Sequence, residues 1–226
     1  MIHEHTVTVR TRNGQQVFVG EADRTLYTLA ELEELHPRAW QKVYERWLQG
    51  ALDYEWWDSV YDDAVHMAEI LGIEIDSRRG TGSAPCIWFS SFSSQGDGAC
   101  WEGSYKYAKG AHRRIRKEAP KDTELHRIAD ELLEVQRQNG YGLSATSVHR
   151  GSYSHSGTMR IEVECEVRGC RRDVKDEDEQ TIEQALRDFA DWIYRQLGQE
   201  ADYLQSEEQF KEACADNLFD EDGRRA

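Results

Sequence analysis

Apolar and polar residues alternate from His5 to Thr11 (HTVTVRT). A second run, QVFVG at residues 16–20, follows the dipeptide Asn13-Gly14. Alternation with period two marks a half-buried strand, and Asn-Gly favours a tight type I′ turn, so the pattern predicts an opening β-hairpin. The period then changes. Ala39, Trp40, Val43 and Trp47 recur at helical spacing, with Pro37 in the first turn of their helix. A second helix is predicted from about Trp56 to Leu71, with Val60, Ala64, Met67, Ala68 and Leu71 on its buried face and Gly72 as its stop.

The segment SRRGTGSAP, from Ser77 to Pro85, reads as a mobile Gly/Ser-rich loop. The runs CIWFSSF and ACWEGSYKY then read as two strands paired across Gly96-Asp97-Gly98. Lys109 to Ala119 is predicted as a basic helix. Another helix starts at Asp122-Thr123, carries Leu125, Ile128, Leu132, Leu133 and Val135, and closes at Asn139-Gly140. A third hairpin pairs Leu143–His149 with Met159–Val167. A long helix from about Glu179 to Leu204 buries Ile182, Leu186, Phe189, Ile193 and Leu197, and a short one follows from Glu207 to Ala215. Strands joined by hairpins imply antiparallel pairing. The fold class is therefore α+β: an antiparallel sheet built from β-hairpins packed against amphipathic helices. The economical domain reading is one α+β domain over residues 1–205, with a peripheral, acidic C-terminal helix and tail over residues 206–226.

Composition narrows the possibilities. The chain has 226 residues, enough for a real core, and carries 7 Trp, 10 Tyr and 6 Phe to fill it. No stretch reaches the roughly 20 apolar residues that span a bilayer, and MIHEHTVTVR lacks a signal peptide's apolar core. The expected location is the cytoplasm, without membrane contact. Cys86, Cys100, Cys165, Cys170 and Cys214 are odd in number and never spaced CxxC, so they read as reduced thiols.

The formal net charge of −15 argues against direct nucleic-acid binding, which needs a basic face. The charge is also segregated. Residues 53–76 hold eight acids and no Lys or Arg, and residues 176–226 hold sixteen acids against five bases. Between them lies a basic patch of Lys106, Lys109, Arg113, Arg114, Arg116, Lys117 and Lys121. Separation into blocks creates a lasting field. Three uses are open: an acidic surface that copies duplex phosphates, charge pairing that joins the protein's own helices or two subunits of a homodimer, and phosphate binding by Arg113, Arg114 and Lys117.

Few residues suggest chemistry. SSFSSQGDGACWEG places Ser93, Gln95 and Asp97 on a Gly-flexed turn that could offer backbone N–H groups to an anion. It lacks a P-loop Lys and does not match GxGxxG. No GxSxG elbow occurs. Glu55, Asp58, Asp62 and Asp63 could gather around Mg²⁺, but a metal nuclease needs carboxylates from several elements. No cofactor and no metal is expected.

The blocks YEWWDSVYDDA, EILGIEI, IWFSSFSSQGDGACWEGSY, TELHRIADELLEVQR and DFADWIYRQLGQEADYLQSEE, closing with DEDG, resemble a family of small proteins encoded by tailed bacteriophages and prophages. Some of its members carry a label as the antitoxin of a toxin–antitoxin stability system. The resemblance covers residues 28–223 and brings no catalytic residues. It implies a non-enzymatic anti-defence protein, an anti-CRISPR among the forms this could take. Its partner would be a host defence protein or ribonucleoprotein effector with a basic groove. The residues expected to meet that partner are Asp58, Asp62, Asp63, Glu69, Asp188, Asp191 and Glu200 on helices, with Ser93, Gln95 and Asp97 in the turn. Three alternatives stay open: an antitoxin-like modulator, a sponge for a nucleotide signal, and a nuclease.

Overall fold

The computed structural model describes the chain except residues 1, 13, 14, 79 and 81–83, and describes residues 2–12 and 15–24 by their backbone. The fold is α+β with antiparallel strand pairing throughout. The chain divides into two compact units, residues 1–55 with 201–226, and residues 56–200. This differs from a division at residue 205, because the C-terminal segment is grouped with the N-terminal one.

In the first unit, β1 (Ile2–Arg12) and β2 (Gln15–Thr28) form the expected antiparallel hairpin. The Asn13-Gly14 turn lies outside the described residues. The helix expected with Pro37 in its first turn is present, and a short helix that the spacing did not mark precedes it. Thr28 caps α1 (Leu29–Leu35) in a capping box with Glu31. Helix α2 (Pro37–Gly50) restarts at Pro37, which has no N–H to offer and clashes with a preceding helical turn. The C-terminal helix α7 (Glu207–Ala213) is not peripheral. Its Phe210 is fully buried, with ring centroids 5.5 Å from Trp40, 5.0 Å from Tyr44 and 5.4 Å from Trp47. Strand β10 (Leu218–Phe219) then pairs with the end of β2. The acidic tail is held by burial of Phe210 and Phe219.

The second unit is built on a five-stranded sheet of order β3-β6-β7-β8-β9. Its strands are β3 (Ile73–Ile75), β6 (Gly103–Lys106), β7 (Leu143–His149), β8 (Met159–Val167) and β9 (Cys170–Arg172). A separate ladder pairs β4 (Ile87–Phe89) with β5 (Ala99–Trp101). The long strand expected over ACWEGSYKY is thus broken at Glu102. Gly103 makes the switch, because at φ 153° its missing side chain lets it pass β3 where a Cβ would sit 2.0 Å from the Glu74 carbonyl oxygen. The stem of the Ser77–Pro85 loop is an antiparallel bridge between those two residues, with Arg78 N–H donating to Ala84 at 2.8 Å.

Four helices complete this unit: α3 (Asp58–Leu71), α4 (Ala111–Glu118), α5 (Thr123–Gln138) and α6 (Asp176–Leu204). Gly72 closes α3 in the left-handed conformation, as its position predicts. The apolar stripe of α6, Ile182, Leu186, Phe189, Ile193 and Leu197, is fully buried. It meets Trp101, whose indole donates to the Leu186 carbonyl at 3.4 Å. No helix among the described residues is long and apolar enough to cross a membrane.

Candidate interaction surface

Helix α3 turns Val60, Tyr61, Ala64, Ala68 and Leu71 inward and leaves Asp58, Asp62, Asp63 and Glu69 exposed. Offsets of four and seven residues place Asp58, Asp62 and Glu69 along one stripe. At 1.5 Å rise per residue that stripe is about 16 Å long. None of the four acids forms an ion pair with a described residue. The three charges of the stripe lie roughly 8 Å apart on average along the axis, against about 3.4 Å per phosphate on one strand and about 1.7 Å on a duplex. The stripe is therefore sparser in charge than either.

The acids of α6 behave differently. Asp188 accepts from Arg127 at 2.6 Å and from Gln184 at 2.6 Å. Arg127 also reaches Glu131 at 2.9 Å and Glu124 at 3.5 Å, and Glu124 receives Arg195 at 2.6 Å. This lattice latches α5 to α6. The Asp188 carboxylate is only 14% exposed, and its hydrogen bond is the main reason the Arg127 guanidinium is held more firmly protonated than usual. The sequence offered Asp188 as a partner-facing charge, but its partner is internal. Asp191 and Glu200 are half-buried and form no ion pair with a described residue. At the start of α6, Asp176, Glu177, Asp178 and Glu179 suit the positive end of the helix dipole.

The basic helix is similarly divided. Arg114 donates to the Ile70 carbonyl at 3.0 Å, and Arg116 grips Asp130 through two bonds of 3.0 and 2.6 Å. Those two hold α4 against α3 and α5. Arg113 and Lys117 are exposed and without an ion pair to a described residue.

The turn SSFSSQGDG closes on itself. Asp97 Oδ2 accepts Ser94 N–H at 2.6 Å, Ser93 N–H at 3.0 Å and the Ser91 hydroxyl at 2.8 Å. These bonds, the Ser94 N–H foremost, hold the Asp97 carboxyl below its ordinary range. The N–H nest expected to receive an external anion therefore carries its own carboxylate. Gln95 stays exposed at the tip. Ser90 fastens the stem, donating its N–H to Gly98 at 3.0 Å and accepting Gly98 N–H on Oγ at 2.9 Å.

Sequence reasoning missed the aromatic partners of this turn. Phe92, read as the end of a strand, lies outside β4 and stacks on Tyr194 of α6 at 5.2 Å and 24°. Tyr194 donates its hydroxyl to the Ser91 carbonyl at 2.8 Å. Behind Phe92 stand Phe89, Trp56 and Trp57. The aromatic clusters of the sequence were a signal for this packing, but their pairing depended on how α6 crosses the turn. Among the described residues, no three or more His, Cys, Asp or Glu side chains gather where a metal could be held. An open groove of about 660 Å³ runs along Glu131, Glu177, Gln180, Thr181, Glu183, Gln184 and Arg187.

A family model described as a domain of unknown function, DUF8835, matches residues 56–207. The chain belongs to the DUF8835 family. The matched span contains the whole second unit, and with it α3, the Asp97 turn and α4, as well as all of α6. No curated protein and no solved structure matches the chain.

Proposed function

We propose that this DUF8835 protein is a non-enzymatic inhibitor of the phage anti-defence kind, which presents acidic helix faces to the basic groove of a host effector. The observation that carries this reading is the α3 stripe. Asp58, Asp62, Asp63 and Glu69 are exposed and unmatched by any described cation, whereas Asp188 of α6 is taken up by Arg127. Free carboxylates on a rigid helix need no reorganisation before they meet Lys and Arg. The resemblance of the FSSQGDGA block and its neighbours to phage and prophage proteins supplies the host-defence setting. The closed Asp97 turn favours a rigid recognition loop over a nucleotide-phosphate site, which weakens the sponge alternative.

Affinity capture from a host carrying defence systems tests this. One effector should be retained at about 0.05 M salt and lost near 0.5 M, as screening shortens the Debye length to a few ångströms. The combined substitutions Asp58→Asn, Asp62→Asn, Asp63→Asn and Glu69→Gln should abolish capture while leaving the melting temperature within a few degrees. Capture that ignores both salt and these substitutions overturns the reading.

A further inference from the structure

The Asp97 turn is braced far more than a connecting hairpin requires. One carboxylate oxygen takes three donors within the turn, Ser90 clamps its base, and Tyr194 fixes the Ser91 carbonyl. What this frame holds in place is Phe92, which remains 41% exposed although it is flanked by other rings. Its ring lies nearly parallel to Tyr194, with Phe89 at 6.0 Å and 29° behind it. Gly198 of α6 lies beneath, where even an added Cβ would already approach the ring to 3.8 Å. The ring is thus supported from below and behind, and held at the surface.

The charges around it are negative. Asp97 is close enough to Tyr194 for its charge, after burial, to help push the tyrosine hydroxyl up from its ordinary value. Asp191 stands one turn before Tyr194 on α6, on the same side of the helix. The neighbouring cation of α6, Arg195, is turned to Glu124 at 2.6 Å. A π surface with carboxylates at its rim and no cation paired to it among the described residues suits one kind of group: a planar, weakly hydrated guanidinium that can stack on a ring and hydrogen-bond sideways to a carboxylate.

We propose that Phe92 and Tyr194, rimmed by Asp97 and Asp191, form a docking platform for an arginine side chain of a protein partner. This deepens the reading of the protein as an acidic binder, on which it rests, by naming the group that the partner presents. The α3 stripe attracts any cation at long range. The platform discriminates, because an ammonium is strongly hydrated and cannot stack as a guanidinium does.

The test is an NMR titration of the full chain with two probes, acetyl-Arg-Arg-Arg-amide and acetyl-Lys-Lys-Lys-amide, at low salt. The expected result is that the arginine peptide binds about fivefold more tightly and shifts the ring signals of Phe92 and Tyr194. Phe92→Leu, which keeps bulk but removes the ring, should erase that preference, with unchanged Ser93 and Ser94 amide signals as evidence that the turn is intact. Neutralising Asp58, Asp62 and Asp63 should weaken both peptides and leave the preference for arginine in place. Equal binding of the two peptides, or a preference that survives Phe92→Leu, overturns the platform alone. Binding of neither peptide overturns the platform and the acidic-binder reading together.

Discussion

Trp192 of α6 donates its indole N–H to Asp122 Oδ2 at 2.6 Å, while Asp122 Oδ1 caps α5 by accepting Glu124 N–H at 3.1 Å and Leu125 N–H at 2.9 Å. One carboxylate thus starts one helix and anchors another 70 residues away. Asp122→Ala removes the cap and orphans a largely buried indole donor. The expected loss is about 2–3 kcal/mol. Asp122→Asn keeps an oxygen for the cap but turns its NH2 toward the indole N–H, so it should recover only the capping part of that loss. Urea denaturation of the two variants checks the order.

Gln136 is a fully buried polar side chain that completes the sheet. Its amide donates to the Leu143 carbonyl at 2.7 Å and to the Tyr105 hydroxyl at 3.3 Å, and its oxygen accepts Leu143 N–H at 3.1 Å. Gln136→Leu fits the space but leaves both backbone groups at the start of β7 unmatched. A loss of about 2–4 kcal/mol is expected, read as a lower urea midpoint. A neutral outcome would mean that water replaces the amide.

Gly103→Ala should be among the most damaging single substitutions in the second unit. The added Cβ meets the Glu74 carbonyl oxygen at 2.0 Å, and backbone lies on that side, so no flexible side chain can yield. The expected cost is about 3–5 kcal/mol, with amide exchange of β3 accelerated before the rest of the sheet.

The Asp97 turn should respond to acid in a defined direction. Its carboxyl is depressed in the folded protein by the N–H donors of Ser94 and Ser93 and by the Ser91 hydroxyl. The ordering it supplies is therefore present above the unfolded value near 3.9 and is lost as pH falls through the lower folded value. The Ser93 and Ser94 amide resonances should stay constant from about pH 7 to about pH 4 and move only below that. Asp97→Asn should abolish the transition and shift both amides at neutral pH.

Much of the fold was legible in the sequence because its elements announce themselves locally. The α6 stripe recurs at helical spacing, and all five of its predicted core residues are fully buried. The hairpin of Leu143–His149 with Met159–Val167 appears with those boundaries, since alternation with period two fixes which side faces the core. The elements missed were short. β3, β9 and β10 have two or three residues each, too few for any periodicity, and exist only because a longer strand lies beside them.

The candidate site divides along the same line. The sequence alone named Asp58, Asp62, Asp63 and Glu69 as an acidic helix face, and all four are exposed, because position within a helix determines its outward face. It could not tell that Asp188 belongs to Arg127, that the nest at Ser93 and Ser94 is filled by Asp97, or that Phe92 rests on Tyr194. Those partners lie on other elements or depend on how a turn closes. Composition and periodicity decided which charges and rings this chain owns and which helical side they occupy. Only the packing of α6 against α5 and the turn decided which are satisfied internally, because a hydrogen bond or ring contact is a matter of a few ångströms between segments whose separation along the chain carries no such information.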